Sequence, residues 1–128
     1  MKDLLIAATK SSPSVRLESA TGIAELAGES YPENAFEFYA PILAWIRDFI
    51  SAGEARFRLE IRLSYLNTSS TKCLIDLLDE LEAAHRAGHR VEVAWHCDAD
   101  NERCVESAEE FKEDVSLPFD ILLDGAAE

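Results

Sequence analysis

The stretch from Phe57 to Leu81 constrains the fold of this chain more than any other. Phe57, Leu59, Ile61, Leu63 and Tyr65 alternate with Arg58, Glu60, Arg62 and Ser64, the period of two that marks a strand buried on one face. Leu74, Leu77, Leu78, Leu81 and Ala84 then recur at helical spacing. The period changes inside Asn67-Thr68-Ser69-Ser70-Thr71. A strand running straight into a helix puts such a joint at the carboxyl edge of a sheet, beside the unpaired N–H groups of the first helical turn. An N-cap needs one side-chain oxygen, and four successive hydroxyls exceed that need. Two readings follow: an ordinary Ser/Thr-rich cap, or a hydroxyl kept for modification. A phosphate on Thr68, Ser69 or Ser70 would add about −1.5 to −2 charges, supported by the helix dipole and by Lys72.

The rest of the chain supplies the partners of that unit. Leu4 to Ala8, Val15 to Glu18 and Thr21 to Ala27 read as short strands separated by turns, an N-terminal antiparallel meander. Ser30-Tyr31-Pro32-Glu33 has capping-box spacing and predicts a helix with Ser30 as its N-cap. Phe36, Tyr39, Leu43, Ile46 and Ile50 form its stripe, Gly53 its stop, and Pro41 an expected kink or break. Tyr31, Phe36, Phe38, Tyr39, Trp45 and Phe49 are too many aromatics for one inward face, so a surface for a partner competes with core packing there. Val91, Val93, Trp95 and Cys97 alternate as another strand, and Asp98 or Asp100 can cap a helix carrying Cys104, Val105, Ala108 and Phe111. Phe119, Ile121 and Leu123 make a last strand before a small acidic tail. Strands separated by single helices run parallel through right-handed crossovers. The expected fold is therefore α/β: a mixed β-sheet with an antiparallel meander at its start and about three helices mainly on one face, in two layers.

Composition bounds the function. A length of 128 residues, 48% of them hydrophobic, suits one domain spanning 1–128. Twelve Lys and Arg against 25 Asp and Glu give a net charge of −13, which opposes nucleic acid and anionic membrane surfaces. The apolar run Leu4 to Ala8 is too short for a signal-peptide core or a membrane span, which points to the cytoplasm. Cys73, Cys97 and Cys104 are odd in number and lack a C-x-x-C pair, so three packed thiols are expected, with neither a disulfide framework nor a metal cage.

Catalytic alternatives are thin. The joint lacks the glycines of a P-loop. Asp98, Asp100, Asn101 and Glu102 offer hard oxygen ligands, but Arg103 stands where a calcium loop needs glycine, and capping explains them; no cofactor or metal is expected. Those acids would sit near Thr68 and repel a phosphate there if the strands ending at Leu66 and Cys97 are parallel neighbours. His85 and His89 flank Gly88 as dipole-compensating surface residues. The remaining enzymatic reading is a small acidic enzyme with Cys73 as thiol nucleophile and His96 as base.

Tyr65-Leu66-Asn67-Thr68-Ser69-Ser70 followed by Lys72 resembles the phosphoacceptor motif of the SiaC family of bacterial regulatory phosphoproteins. Gly28-Glu29-Ser30-Tyr31-Pro32-Glu33-Asn34 resembles the same family, as does Asn101-Glu102-Arg103 followed by Ala108-Glu109-Glu110-Phe111. The resemblance implies a STAS-like fold like that of anti-sigma-factor antagonists. It also implies a threonine, here Thr68, phosphorylated by a dedicated kinase and cleared by a metal-dependent phosphatase. Tyr65, Asn67, Thr68, Ser69, Ser70 and Lys72 become the switch surface of a non-enzymatic adaptor in a partner-switching circuit. Its unphosphorylated form would activate a diguanylate cyclase, and so act on c-di-GMP and biofilm formation.

Overall fold

The computed structural model describes residues 2–53 and 55–124; the acidic tail lies outside them. The chain runs β1 (Leu4–Ile6), β2 (Ser14–Glu18), β3 (Ile23–Ser30), α1 (Ala35–Ser51), β4 (Phe57–Leu66), α2 (Thr68–Arg86), β5 (Val91–Asp98), α3 (Glu102–Glu113) and β6 (Phe119–Asp124). All six strands form one sheet in sequence order, β1-β2-β3-β4-β5-β6. The first two pairings are antiparallel and the last three parallel. The expected mixed sheet with its meander and three helices is thus what the chain forms. Each helix is a crossover between adjacent parallel strands, so β4 sits between β3 and β5 with its carboxyl end among their carboxyl ends.

One face of the sheet carries the core. Leu17, Leu26, Leu59, Ile61, Val93 and Trp95 pack under Ile42 and Ile46 of α1 and Leu74, Leu77 and Leu81 of α2, all at or near zero exposure. Trp95 stacks on Phe111 of α3 and on Phe119 of β6. The opposite face is a lattice of charge: Arg16 pairs with Glu25, Glu25 with Arg62, Arg58 with both Glu60 and Glu92, and His96 Nε2 lies 2.6 Å from Glu60 Oε1. Opposite charges on neighbouring strands support the pairing and leave that face to water, giving the two layers that the alternation predicts.

The structure corrects three local expectations. Ser30 is the last residue of β3, and Asn34 caps α1 by accepting the Glu37 N–H at 3.1 Å. Tyr31 precedes Pro32 and is held extended, so Tyr31 N–H reaches Ser11 O and the Ser30 carbonyl takes the Asn67 N–H. The helix therefore begins four residues later than the capping-box spacing suggests. Pro41 lies inside a continuous α1; it is exposed, where water can take the carbonyl its missing N–H leaves free. At α3 the cap is Asn101, which accepts the Cys104 N–H, while Asp98 Oδ1 accepts the Asp100 N–H in the preceding turn.

Candidate functional site: a cleft between two helix starts

Because β4 and β5 are parallel neighbours, α2 and α3 start side by side at the same sheet edge. Asn67, in extended conformation, accepts the Ser70 N–H at 2.8 Å, and its carbonyl takes the Thr71 hydroxyl at 3.0 Å. Thr68 is the first helical residue and is exposed, with no hydrogen bond from its hydroxyl among the described residues. Ser69 beside it is also exposed. Thr68, Thr71, Tyr65, Ser64 and Asn67 line one side of a cleft of about 530 Å³; Asn101, Arg103, Cys104 and Ser107 of the α3 start line the other, with Trp95 between.

The other predicted site residues scatter. Ser70 is fully buried, taking a hydrogen bond from Ser30 Oγ at 2.8 Å, and Ser30 in turn lies 2.8 Å from Tyr39 Oη. It ties β3, α1 and α2 together and is closed to a kinase in this conformation, which corrects its place on the switch surface. Burial within this clasp pushes the Tyr39 phenol up to about 12, against the Ser30 hydrogen bond that lowers it. Lys72 turns away from the cleft, its Nζ 5.8 Å from the centroid of the exposed Phe36 ring on α1, so it belongs to the α1–α2 side. Tyr65 is half exposed, edge-on to Tyr31 at 5.9 Å. Of the predicted set, then, Tyr65, Asn67 and Thr68 share the cleft. Arg103, Ser107 and Trp95 complete it. The missed signal was the second strand–Asn–helix joint at Asn101, which parallel pairing of β4 and β5 brings beside the first.

The thiol reading does not survive the topology. Cys73 is buried on α2 against the core, and desolvation raises its pKa, opposite to what a nucleophile requires. His96 projects from the charged face of the sheet toward Glu60, with the sheet between it and Cys73. Cys97 and Cys104 are joined by a disulfide linking the end of β5 to the first turn of α3, and Cys73 is the free thiol. The expectation of three thiols is corrected: a spacing of seven residues across a strand–turn–helix gave no pattern to read. Among the described residues, no group of three or more His, Cys, Asp or Glu is placed to hold a metal, and no helix is long and apolar enough to cross a membrane.

No His, Asp or Glu lines the cleft. Its hydroxyls thus lack a built-in general base, and it offers a ligand or partner hydroxyls, amides and a guanidinium beside the side chains of Leu63, Leu66, Tyr65 and Trp95. The one-faced α/β sheet places this cleft at the carboxyl ends of β4 and β5. The family model "SiaC family regulatory phosphoprotein" matches residues 6–123, and the chain belongs to that family. An uncharacterized protein of Pseudomonas aeruginosa (strain UCBPP-PA14) is 45% identical over 121 residues, covering 94% of this chain and 96% of its own. The fold superposes on "SiaC of Pseudomonas aeruginosa" with a TM-score of 0.91 at 42% identity, covering 96% of this chain and 99% of that one. It is also similar, with a TM-score of 0.92 at 44% identity over 94% of this chain and 99% of the other, to a chain of the crystal structure of "diguanylate cyclase SiaD in complex with its activator SiaC" from the same organism.

Proposed function

We propose that this protein is a non-enzymatic adaptor of the cytoplasm whose binding to an effector is set by reversible phosphorylation of Thr68. The observation that carries the reading is Thr68 itself: an exposed, unbonded hydroxyl on the first turn of α2, in a cleft without an acid or base of its own. Such a hydroxyl is a substrate for another protein's chemistry. A dedicated kinase supplies the base; the Thr68 oxygen attacks the γ-phosphorus of ATP, ADP leaves, and the hydroxyl proton passes to the kinase. A metal-dependent phosphatase returns the hydroxyl by hydrolysis. The effector is a diguanylate cyclase, activated by the unphosphorylated form, so that the circuit acts on c-di-GMP and biofilm formation; the P. aeruginosa complex of SiaD with its activator SiaC supports this choice. Partner switching of this kind is also what a STAS-like domain with a hydroxyl at a strand–helix joint performs.

The test is intact mass after incubation with ATP and the host's soluble fraction, with peptide mapping, followed by binding of both forms to the host's diguanylate cyclase. One phosphate on Thr68, with binding lost on its addition and retained in Thr68→Ala, is expected. Undiminished incorporation into Thr68→Ala moves the site elsewhere, and full loss of function in a folded Cys73→Ser protein returns the chain to the enzymes.

A further inference from the structure

Arg103 is the single cation in the cleft that Thr68 lines, and the cleft lining holds no carboxylate in a chain of net charge −13. Among the described residues, Arg103 and Arg90 make no ion pair and no side-chain hydrogen bond, whereas the other six arginines do, and of these two Arg103 lines the cleft of Thr68. A free arginine on so acidic a surface needs a reason. Its acidic neighbours do not supply one: Asp98, Asp100 and Glu102 open onto an adjoining cleft that Arg103 also borders, and none of them pairs with it.

The donors around it point to an anion. Asn67 and Asn101 cap α2 and α3 and satisfy the Ser70 and Cys104 N–H groups; the N–H groups of Thr68 and Ser69, and of Glu102 and Arg103, remain as the unpaired first-turn donors, and Thr68 and Arg103 of these line the cleft. Independently of the helix ends, Trp95 is 1% exposed, lines the cleft, and its indole Nε1–H has no acceptor. A buried donor of that kind is rarely left unmade. A guanidinium, the Ser107 hydroxyl and two helix starts, beside a cleft whose own lining holds no carboxylate, suit a phosphate ester.

We propose that this cleft receives the phosphate carried by Thr68, with Arg103 as its counter-ion, so that phosphorylation ties the start of α2 to the start of α3. The inference rests on the Thr68 reading above and supplies its mechanism: the modified form fills its own cleft and closes it to the effector. Asp98, Asp100 and Glu102, expected to repel a phosphate if β4 and β5 are parallel neighbours, line the adjoining cleft and not the one that Thr68 lines.

Phosphothreonine incorporated at position 68 during synthesis tests this without any host kinase, so its outcome is separate from whether the host modifies Thr68. A phosphorus NMR titration reads the second ionisation of the phosphate, about 6 for a free phosphomonoester. In the wild-type chain it should lie about one unit lower and move back up in Arg103→Gln, with Arg103→Lys between them, because a point charge replaces the two-pronged contact. High salt should narrow the difference between wild type and Arg103→Gln. Arg103 is exposed, so both variants should fold, which their amide spectra check. An ionisation near 6 in the wild type, or the same value in wild type and Arg103→Gln, overturns the proposal, and the second result would assign Arg103 to Asp98 or Asp100.

Discussion

Thr68 and Ser70 are two residues apart in one run of hydroxyls, yet the first half-turn of α2 sends them to opposite environments. Thr68 makes no hydrogen bond through its hydroxyl and Asn67 performs the capping, so Thr68→Ala should shift stability by no more than about 0.5 kcal/mol. Ser70→Ala removes the far end of the Ser30 clasp and should cost about 0.5–1.5 kcal/mol. Urea unfolding of the two variants separates a modifiable hydroxyl from a structural one; equal costs would contradict the assignment. Glu82 shows what a buried acid needs here. Its carboxylate takes the Ser116 hydroxyl, the Ser116 and Leu117 N–H groups and Arg86 Nε. The Ser116 hydrogen bond, opposed by desolvation and aided by Arg86 and the two amides, lowers its pKa from 4.5 to about 2. The folded value is below the unfolded one, so this stabilisation is complete above about pH 4.5 and disappears as pH falls toward about 2. Glu82→Gln should therefore lose stability at pH 7 and show a flatter dependence between pH 4.5 and 2 than the wild type, measured as unfolding midpoints across that range.

At the scale of elements, the β2–β3 turn is the tightest constraint. Gly22 has φ +73°, and a Cβ there would stand 2.1 Å from the Arg56 carbonyl. The same turn gives its own carbonyl to the Arg58 N–H at 2.8 Å, which starts the β3–β4 pairing. Gly22→Ala should cost at least about 1–3 kcal/mol, since it combines a left-handed backbone with a clash against main chain. Gly53, past the end of α1, meets nothing within 4 Å, and Gly53→Ala should be neutral or slightly stabilising. Thermal unfolding of the pair gives the comparison, and a harmless Gly22→Ala would mean that the turn can move without loosening the sheet. The helices draw their hold from elsewhere: α2 is anchored by Leu74, Leu77, Leu78 and Leu81, all at most 2% exposed.

For the whole molecule, that anchoring decides how a phosphate can act. A dianion at the start of α2 meets a helix already fixed along its length, so it changes the cleft and leaves the core in place. A partner packed on Thr68 must then desolvate the phosphate or lose the contact, which blocks binding directly. Amide spectra of the two forms should differ at Asn67–Lys72 and at Asn101–Cys104, with α1 unshifted; shifts throughout α1 accompanying lost binding would favour a conformational switch. Thr68→Glu should imitate the block only in part, having one charge and two acceptors where phosphate has about two and three.

The periodicities of β4, α2, β5 and α3, and with them the single-faced layers, were legible in the chain alone, because each depends on neighbours two to four residues away and on which side meets water. So was the joint at Thr68, where one period gives way to another. The destination of each hydroxyl was not legible: Ser30 resembles a helix cap until Tyr39 and Ser70 close on it from two helices. Nor was the bond between Cys97 and Cys104, which depends on how the β5–α3 turn brings its two ends together, or the place of Arg103 in the cleft of Thr68, which depends on where that turn lies against β4. Local patterns specify how a segment repeats; which segment ends meet is decided by strand order and register. Those are set by burying the aliphatic faces of all the elements together, and that energy belongs to no single stretch of sequence.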